Sequence, residues 1–190
     1  RGLIIMTANY LDTHKKFPNT KEGKESLFIS NLLTPIVKAW CTDQSVIITS
    51  LGIQIHGGMG FIEDTGAAQY FRDSRILPIY EGTNGIQALD LLRRKLFQEN
   101  GNTYKRVINV VKNTIDICIN SNYVEIHPIA RLLLQAVNDL EDCCKWLIKT
   151  YASNPEQAAS GATPFISMFG WILGGWIMVK SAYKSNLLLE

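Results

Sequence analysis

The sequence predicts an all-α protein, an antiparallel helical bundle followed by a second, smaller helical bundle. Three observations carry this. Apolar residues recur at three- and four-residue spacing through the long segments, as in Ile86, Leu89, Leu92 and Leu96. Short clusters of Pro, Gly, Asn and charge separate those segments, as a bundle with short connections requires. No internal repeat or low-complexity segment occurs, and the β-branched run Val46-Ile47-Ile48-Thr49 lies inside an apolar pattern that continues on both sides. The composition, 46% apolar and 19% charged over 190 residues, suits a globular chain that can bury a core.

Leu3, Ile4, Met6, Tyr10 and Leu11 give the first segment one apolar helical face. Residues 14–23, HKKFPNTKEG, read as a loop, and structure resumes at Lys24. Thr34-Pro35 reads as N-cap and first helical residue, because the N–H that Pro lacks would be unpaired there anyway. The helix so begun runs to about Ile55, with Ile36, Val37, Trp40, Ile47, Ile48 and Leu51 as its core. Gly57, Gly58 and Gly60 end it. Asp64 or Thr65 caps a short polar helix that reaches about Arg75. Residues 76–81 are irregular around Pro78. Thr83 is the expected N-cap of a helix through Phe97.

Residues 98–103, QENGNT, form a polar linker, so two units are expected, residues 1–97 and residues 103–190. In the second unit helices are expected over residues 104–119, 128–151 and 165–183, with room for a short helical turn between the last two. Leu132, Leu133, Ala136, Leu140 and Leu147 mark the core of the middle helix. The run FISMFGWILGGWIMV, residues 165–179, is apolar throughout. It is shorter than the roughly 20 residues of a membrane span and carries three glycines, so a buried bundle helix and no membrane span are expected. Gly170 and Gly174 share a face that admits close approach of a partner helix.

The formal charge of +2, with lysines and arginines scattered, gives no footprint for nucleic acid. Arg93-Arg94-Lys95 reads as a solvated helix end. The four cysteines and three histidines have no metal-ligand spacing, so no metal site is expected. Cysteines read as buried thiols fit a reducing compartment, and a cytoplasmic location is expected. Residues 1–12 already read as the middle of a helix, which suggests a piece of a longer protein.

Candidate chemistry concentrates in residues 54–87. Gly57, Gly58 and Gly60 stand at its front and Gly82 and Gly85 at its back, and such glycines let backbone approach a ligand closely. Turn, helix, turn and helix start are expected to bring both glycine clusters beside Glu81. That carboxylate has two readings: a charge favouring the helix dipole, or a general base held in a dry pocket by Tyr80 and glycine turns. The helix starting near Thr83 would offer free N–H groups to a polar cofactor group. Gln54 either caps a helix end or reaches a cofactor phosphate. Arg72-Asp73 reads as a structural ion pair.

Three motifs in order, IQIHGGMGF at residues 53–61, YFRDSRI at residues 70–76 and IYEGTNGIQ at residues 79–87, make residues 1–97 resemble the C-terminal helical domain of the acyl-CoA dehydrogenase family. The rest is similar to the extra helical domain that follows in a long subgroup, with MFGWILGGWIMVKSA, residues 168–182, resembling its closing helix. The resemblance implies α,β-dehydrogenation of an acyl-CoA thioester to a trans-2-enoyl-CoA, with FAD as hydride acceptor and an electron-transfer acceptor protein downstream. It implies Glu81 as the base that takes the α-proton and Gly82 against the thioester. It places Thr83, Asn84 and Gly85 along the FAD, with Gly85 where several relatives carry Gln or Glu. It sets Gln54, Ile55, His56, Gly57 and Gly58 against the FAD of a neighbouring subunit, hence a homo-oligomer, and Arg93 against CoA. The family's N-terminal helical and middle β-domains have no counterpart in the sequence, so the chain alone is expected neither to retain FAD tightly nor to turn over acyl-CoA. The competing reading is a non-catalytic helical assembly domain from a split or remnant gene.

Overall fold

A computed structural model describes residues 1–188, and among them every regular element is a helix. Helix α1 spans Gly2–Lys16 and turns through four residues into α2, Lys21–Ile55. Short helices α3 (Gly58–Phe61), α4 (Ala67–Ser74) and α5 (Asn84–Asp90) follow, the last running into a π-helical turn over Leu91–Lys95. The second half holds α6 (Asn102–Ile119), α7 (His127–Ser153), α8 (Pro155–Ser160) and α9 (Ala162–Leu187).

Helix α2 is the spine. It is one unbroken 35-residue helix, capped by Thr20, whose Oγ1 accepts from the Gly23 N–H at 3.0 Å. The expected loop over residues 14–23 is therefore shorter, and Thr34 is no cap: its hydroxyl donates to the Ser30 carbonyl at 2.7 Å. Pro35 sits inside the helix. An interior Pro costs about 3 kcal/mol. Here Leu32, Leu33 and Ile36 beside it are fully buried, and such burial contributes roughly 1.5–3 kcal/mol per side chain. Helices α1, α5 and α9 all pack on α2. Its last third is different. Ile47, Ile48 and Leu51, expected in the core, are exposed, Ile48 by 64%, because among the described residues that face is left largely uncovered.

One buried apolar cluster runs from Leu3 and Leu32 through Leu91 and Leu96 to Ile115, Leu140 and Phe169, so both halves share a core. Helix α9 makes this continuity. It packs on α1, α2 and α5 as well as on α6 and α7. Trp176 Nε1 donates to Thr114 Oγ1 at 2.9 Å, tying α9 to α6. At 26 residues α9 is longer than expected and passes, by length and composition, as a membrane-crossing helix; half of its most apolar stretch is buried inside the chain. Gly170 and Gly174 receive a side chain, the Trp40 indole of α2, which also stacks edge-on against Trp171 at 5.4 Å.

Two further expectations change. Leu132 is 67% exposed, and the buried stripe of α7 is Ala130, Leu133, Val137, Leu140, Cys144 and Leu147. Ile86 is exposed while Leu91, Leu92 and Leu96 are fully buried, since the π turn (Leu96 N–H to the Leu91 carbonyl, 2.9 Å) resets which residues face inward. The linker over residues 98–103 is tightly held. Glu99, Asn100 and Gly101 are all left-handed, reversing the chain before α6, and the buried Thr103 hydroxyl donates to Glu99 at 2.8 Å.

Glu99 pairs with Arg106, and Glu141 joins α7 to Lys112 of α6 at 2.6 Å and to Lys145 at 3.2 Å. The hydrogen bond from Arg106, with help from Thr103, holds the Glu99 carboxyl below the usual range, and those from Lys112 and then Lys145 do the same for Glu141. A carboxyl with a depressed folded pKa adds stability above its unfolded value of about 4.3 and loses it as pH falls through the folded value. The thermal midpoint is therefore expected to drop as the pH falls below about 4.3. Lys112→Met is expected to flatten that slope, and melts of both proteins across this range decide it; identical slopes would remove the pair as a source of acid sensitivity.

Candidate functional site

The segment between α4 and α5 is short, turns sharply and is pinned. The Asn84 N–H donates to the Pro78 carbonyl at 3.1 Å, closing the turn around Glu81. Glu81 and Gly82 are both left-handed, with φ of 55° and 87°. For Glu this conformation costs on the order of 1–3 kcal/mol and persists only where surroundings enforce it. The Asn84 side chain provides the enforcement. Its Nδ2 donates to Asp43 Oδ1 (2.7 Å), the Ala39 carbonyl (3.0 Å) and Thr42 Oγ1 (3.0 Å), and its Oδ1 accepts from Lys38 Nζ (2.8 Å). Gln87 Nε2 donates to the Glu81 carbonyl at 3.3 Å.

Glu81 itself projects from this turn and is exposed, beside a half-exposed Tyr80. The dry pocket expected around it does not form among the described residues: α2 and the start of α5 hold the turn, and Glu81 and Tyr80 stay uncovered. Burial pulls the Lys38 ammonium below the ordinary lysine pKa, while the carboxylates of Asp43 and Glu81 oppose that shift. Thr83 precedes α5 but its side chain caps nothing, and Gly85 is open, a Cβ there meeting only Thr83 Oγ1 at 4.0 Å. Arg93 is exposed on the π turn, lining a shallow groove of about 210 Å³ with Ile86, Leu89, Asp90 and Arg94; Arg94 pairs with Asp90.

The first glycine cluster lies elsewhere. At about 1.5 Å of rise per residue, Gln54 stands roughly 17 Å further along α2 than Asp43. The two clusters, expected beside one another, therefore stand apart, because the unbroken α2 separates Asn84's partners from the helix end that carries Gly57 and Gly58. Gln54, Ile55, His56, Gly57 and Gly58 are all exposed at the helix end. Gln54 gives its carbonyl to the Gly57 N–H, and the His56 ring bonds the Gly52 carbonyl at 2.8 Å. Gly57 has φ 60°, and a Cβ on Gly57 or Gly58 would meet nothing within 4 Å, whereas one on Gly60 would strike the Ile53 carbonyl. A 570 Å³ cleft between Ile53, Phe61, Ile62 and Phe71 opens beside this turn, edged by Arg72 and Glu63. Arg72 grips Glu63 through two bonds, at 2.9 and 3.2 Å; that carboxylate, and not Asp73, is its partner.

Lys38, Thr42 and Asp43 were not singled out from the sequence. Their four- and five-residue spacing on one helix face was visible, but nothing there said that the face would meet Asn84.

Residues 18–96 match the acyl-CoA dehydrogenase, C-terminal domain, and residues 107–187 match the acetyl-CoA dehydrogenase C-terminal like domain. The chain belongs to the acyl-CoA dehydrogenase family. It is 39% identical to the 3-methylmercaptopropionyl-CoA dehydrogenase of Ruegeria pomeroyi, over 98% of this chain and 31% of that protein. It is 25% identical to the broad-specificity linear acyl-CoA dehydrogenase FadE5 of Mycobacterium tuberculosis, over 100% of this chain and 32% of that one. The chain thus spans about a third of the length of these curated relatives. Its fold matches the crystal structure of Caenorhabditis elegans ACDH-11 in complex with C11-CoA, with a TM-score of 0.79 at 23% identity, over 97% of this chain and 30% of that one. The matched acyl-CoA dehydrogenase domain contains the whole pinned turn and both glycine clusters.

Proposed function

We propose that the chain is the C-terminal part of an FAD-dependent acyl-CoA dehydrogenase, with Glu81 as the base. The observation that carries this is the Glu81-Gly82 turn: a carboxylate exposed on a backbone that is strained and clamped to α2. A base must stand ready at a fixed place, and such a turn supplies that. The α-proton of the thioester passes to the Glu81 carboxylate, the β-hydrogen leaves with its electron pair, and the two carbons become the trans double bond of enoyl-CoA. FAD, when bound, supplies the two-electron acceptor at N5, and an electron-transfer acceptor protein takes the electrons onward.

The uncovered backbone at Gly57, Gly58 and Gly85 fits a group that approaches closely. Thr83 and Gly85 would line one FAD, and residues 54–58 that of a neighbouring subunit. Gly82, next to the base, would lie against the thioester, and Arg93 would contact CoA. Asn84 serves by holding the turn, since its side chain and its N–H are both engaged. The exposed apolar side chains Ile47, Ile48, Leu51, Ile55 and Phe61 favour cover by a further domain or subunit.

An FAD titration of this chain, followed by flavin fluorescence with the solution mass, tests the division of labour. No tight binding and no turnover are expected from the chain alone. Flavin retention and enoyl-CoA production are expected once the family's N-terminal helical and middle β-domains are joined to it. Steady enoyl-CoA formation by the isolated chain would overturn its inactivity, and an extended polypeptide without flavin would overturn the enzyme reading in favour of an assembly domain.

A further inference from the structure

We propose that Lys38 is a positioning residue for Glu81, acting through the Asn84 side chain that it orients on α2. The inference rests on the reading of Glu81 as the base. Glu81 holds a left-handed conformation that a Glu does not adopt unaided. The turn has its side-chain anchorage at Asn84, three residues on, and at Gln87.

A carboxamide can be turned end for end, and the charges on α2 decide which way it lies. The Lys38 ammonium, a donor only, faces Oδ1 at 2.8 Å. The Asp43 carboxylate, an acceptor only, faces Nδ2 at 2.7 Å. Reversal would set the NH₂ against the ammonium and the carbonyl against the carboxylate. Thr42 Oγ1 sits between them and suits either end. Lys38 therefore fixes the amide, the amide fixes the start of α5, and the Pro78-to-Asn84 closure fixes where Glu81 emerges. The carboxylates of Asp43 and then Glu81 also favour the charged form of Lys38, against the effect of its burial.

In the extended flavoprotein, Lys38→Met is expected to lower kcat for acyl-CoA by roughly tenfold or more, since a misplacement of about 1 Å can cost on the order of 100-fold. KM and flavin content are expected to change less than kcat, because Lys38 itself touches neither substrate nor cofactor in this reading and acts on Gly82, Thr83 and Gly85 only through the turn. Lys38→Arg keeps a donor and the charge and is expected to restore most of kcat. Asn84→Ala is the second variant; combined with Lys38→Met it is expected to add little, as two members of one linkage do.

Amide hydrogen exchange on this chain reads the clamp without catalysis. Lys38→Met is expected to speed exchange at the Asn84 and Gln87 amides and leave α6 and α7 at wild-type rates. Unchanged exchange there would overturn the proposal, as would a loss of kcat spread with a general loss of stability and not rescued by Lys38→Arg. The two readings fail separately. A fully active Glu81→Gln protein removes the base, whereas an inactive Glu81→Gln protein beside a wild-type Lys38→Met protein removes only the positioning role.

Discussion

Glu81→Gln, in the polypeptide extended by the family's other domains, is expected to lose acyl-CoA turnover by about 10²–10⁴-fold with flavin still bound. The substitution keeps the size of the side chain and a planar head group, and removes its basicity. It leaves the Asn84 contacts to Lys38, Thr42 and Asp43 intact, and Gln87 still finds the carbonyl of residue 81. The turn should therefore keep its shape, and the loss should fall on kcat with little change in KM. Saturating turnover, set beside the visible absorbance of the bound flavin, measures both terms. A mutant that turns over like the wild type would take Glu81 out of the mechanism. A mutant without flavin would mean that residue 81 serves cofactor retention and not proton transfer.

Gly170→Ala is the second large effect, and it is structural. A Cβ at residue 170 would come within 2.3 Å of Trp40 Cγ and 2.6 Å of Trp40 Cβ. These atoms lie close to the α2 backbone, so they cannot swing aside as the tip of a long side chain could. Overpacking of this kind costs about 1–3 kcal/mol and occasionally more. Ala in place of Gly returns about 1 kcal/mol in helix propensity. A net loss of roughly 2 kcal/mol is expected, because here the clash meets the rigid root of the indole. Chemical denaturation of this chain measures it. A variant as stable as the wild type would mean that α2 and α9 can separate freely at this crossing. Combined with Trp40→Ala, which removes the Cγ that the new methyl would meet, Gly170→Ala is expected to cost less than the sum of the two single changes.

The helical class was legible because amphipathic spacing is local. Residues 104–119 and 128–151 read as helices and are helical over Asn102–Ile119 and His127–Ser153. The glycine that ends α2 was legible too, since Gly57 takes a positive φ. Pro35 misled, because its local rule favours a helix start. Burial of its neighbours against α1, α5 and α9 outweighs that rule, and α2 runs straight through. Ile47, Ile48 and Leu51 misled in the opposite direction. Apolar spacing says which residues share a face, and says nothing of whether that face is covered within the same chain.

The candidate site divides in the same way. The amino-acid order by itself determined the helical class, the three motifs, the carboxylate flanked by glycines and the family to which they belong, since each is a matter of residue type and spacing. Only the tertiary structure decided that Lys38, Thr42 and Asp43 meet Asn84, that Glu81 stands exposed on a strained turn, and that the two glycine clusters are held apart along α2. Those facts depend on which face of a 35-residue helix receives a turn some forty residues further along the chain. Such a contact is set by packing across the whole core, and no local pattern encodes it.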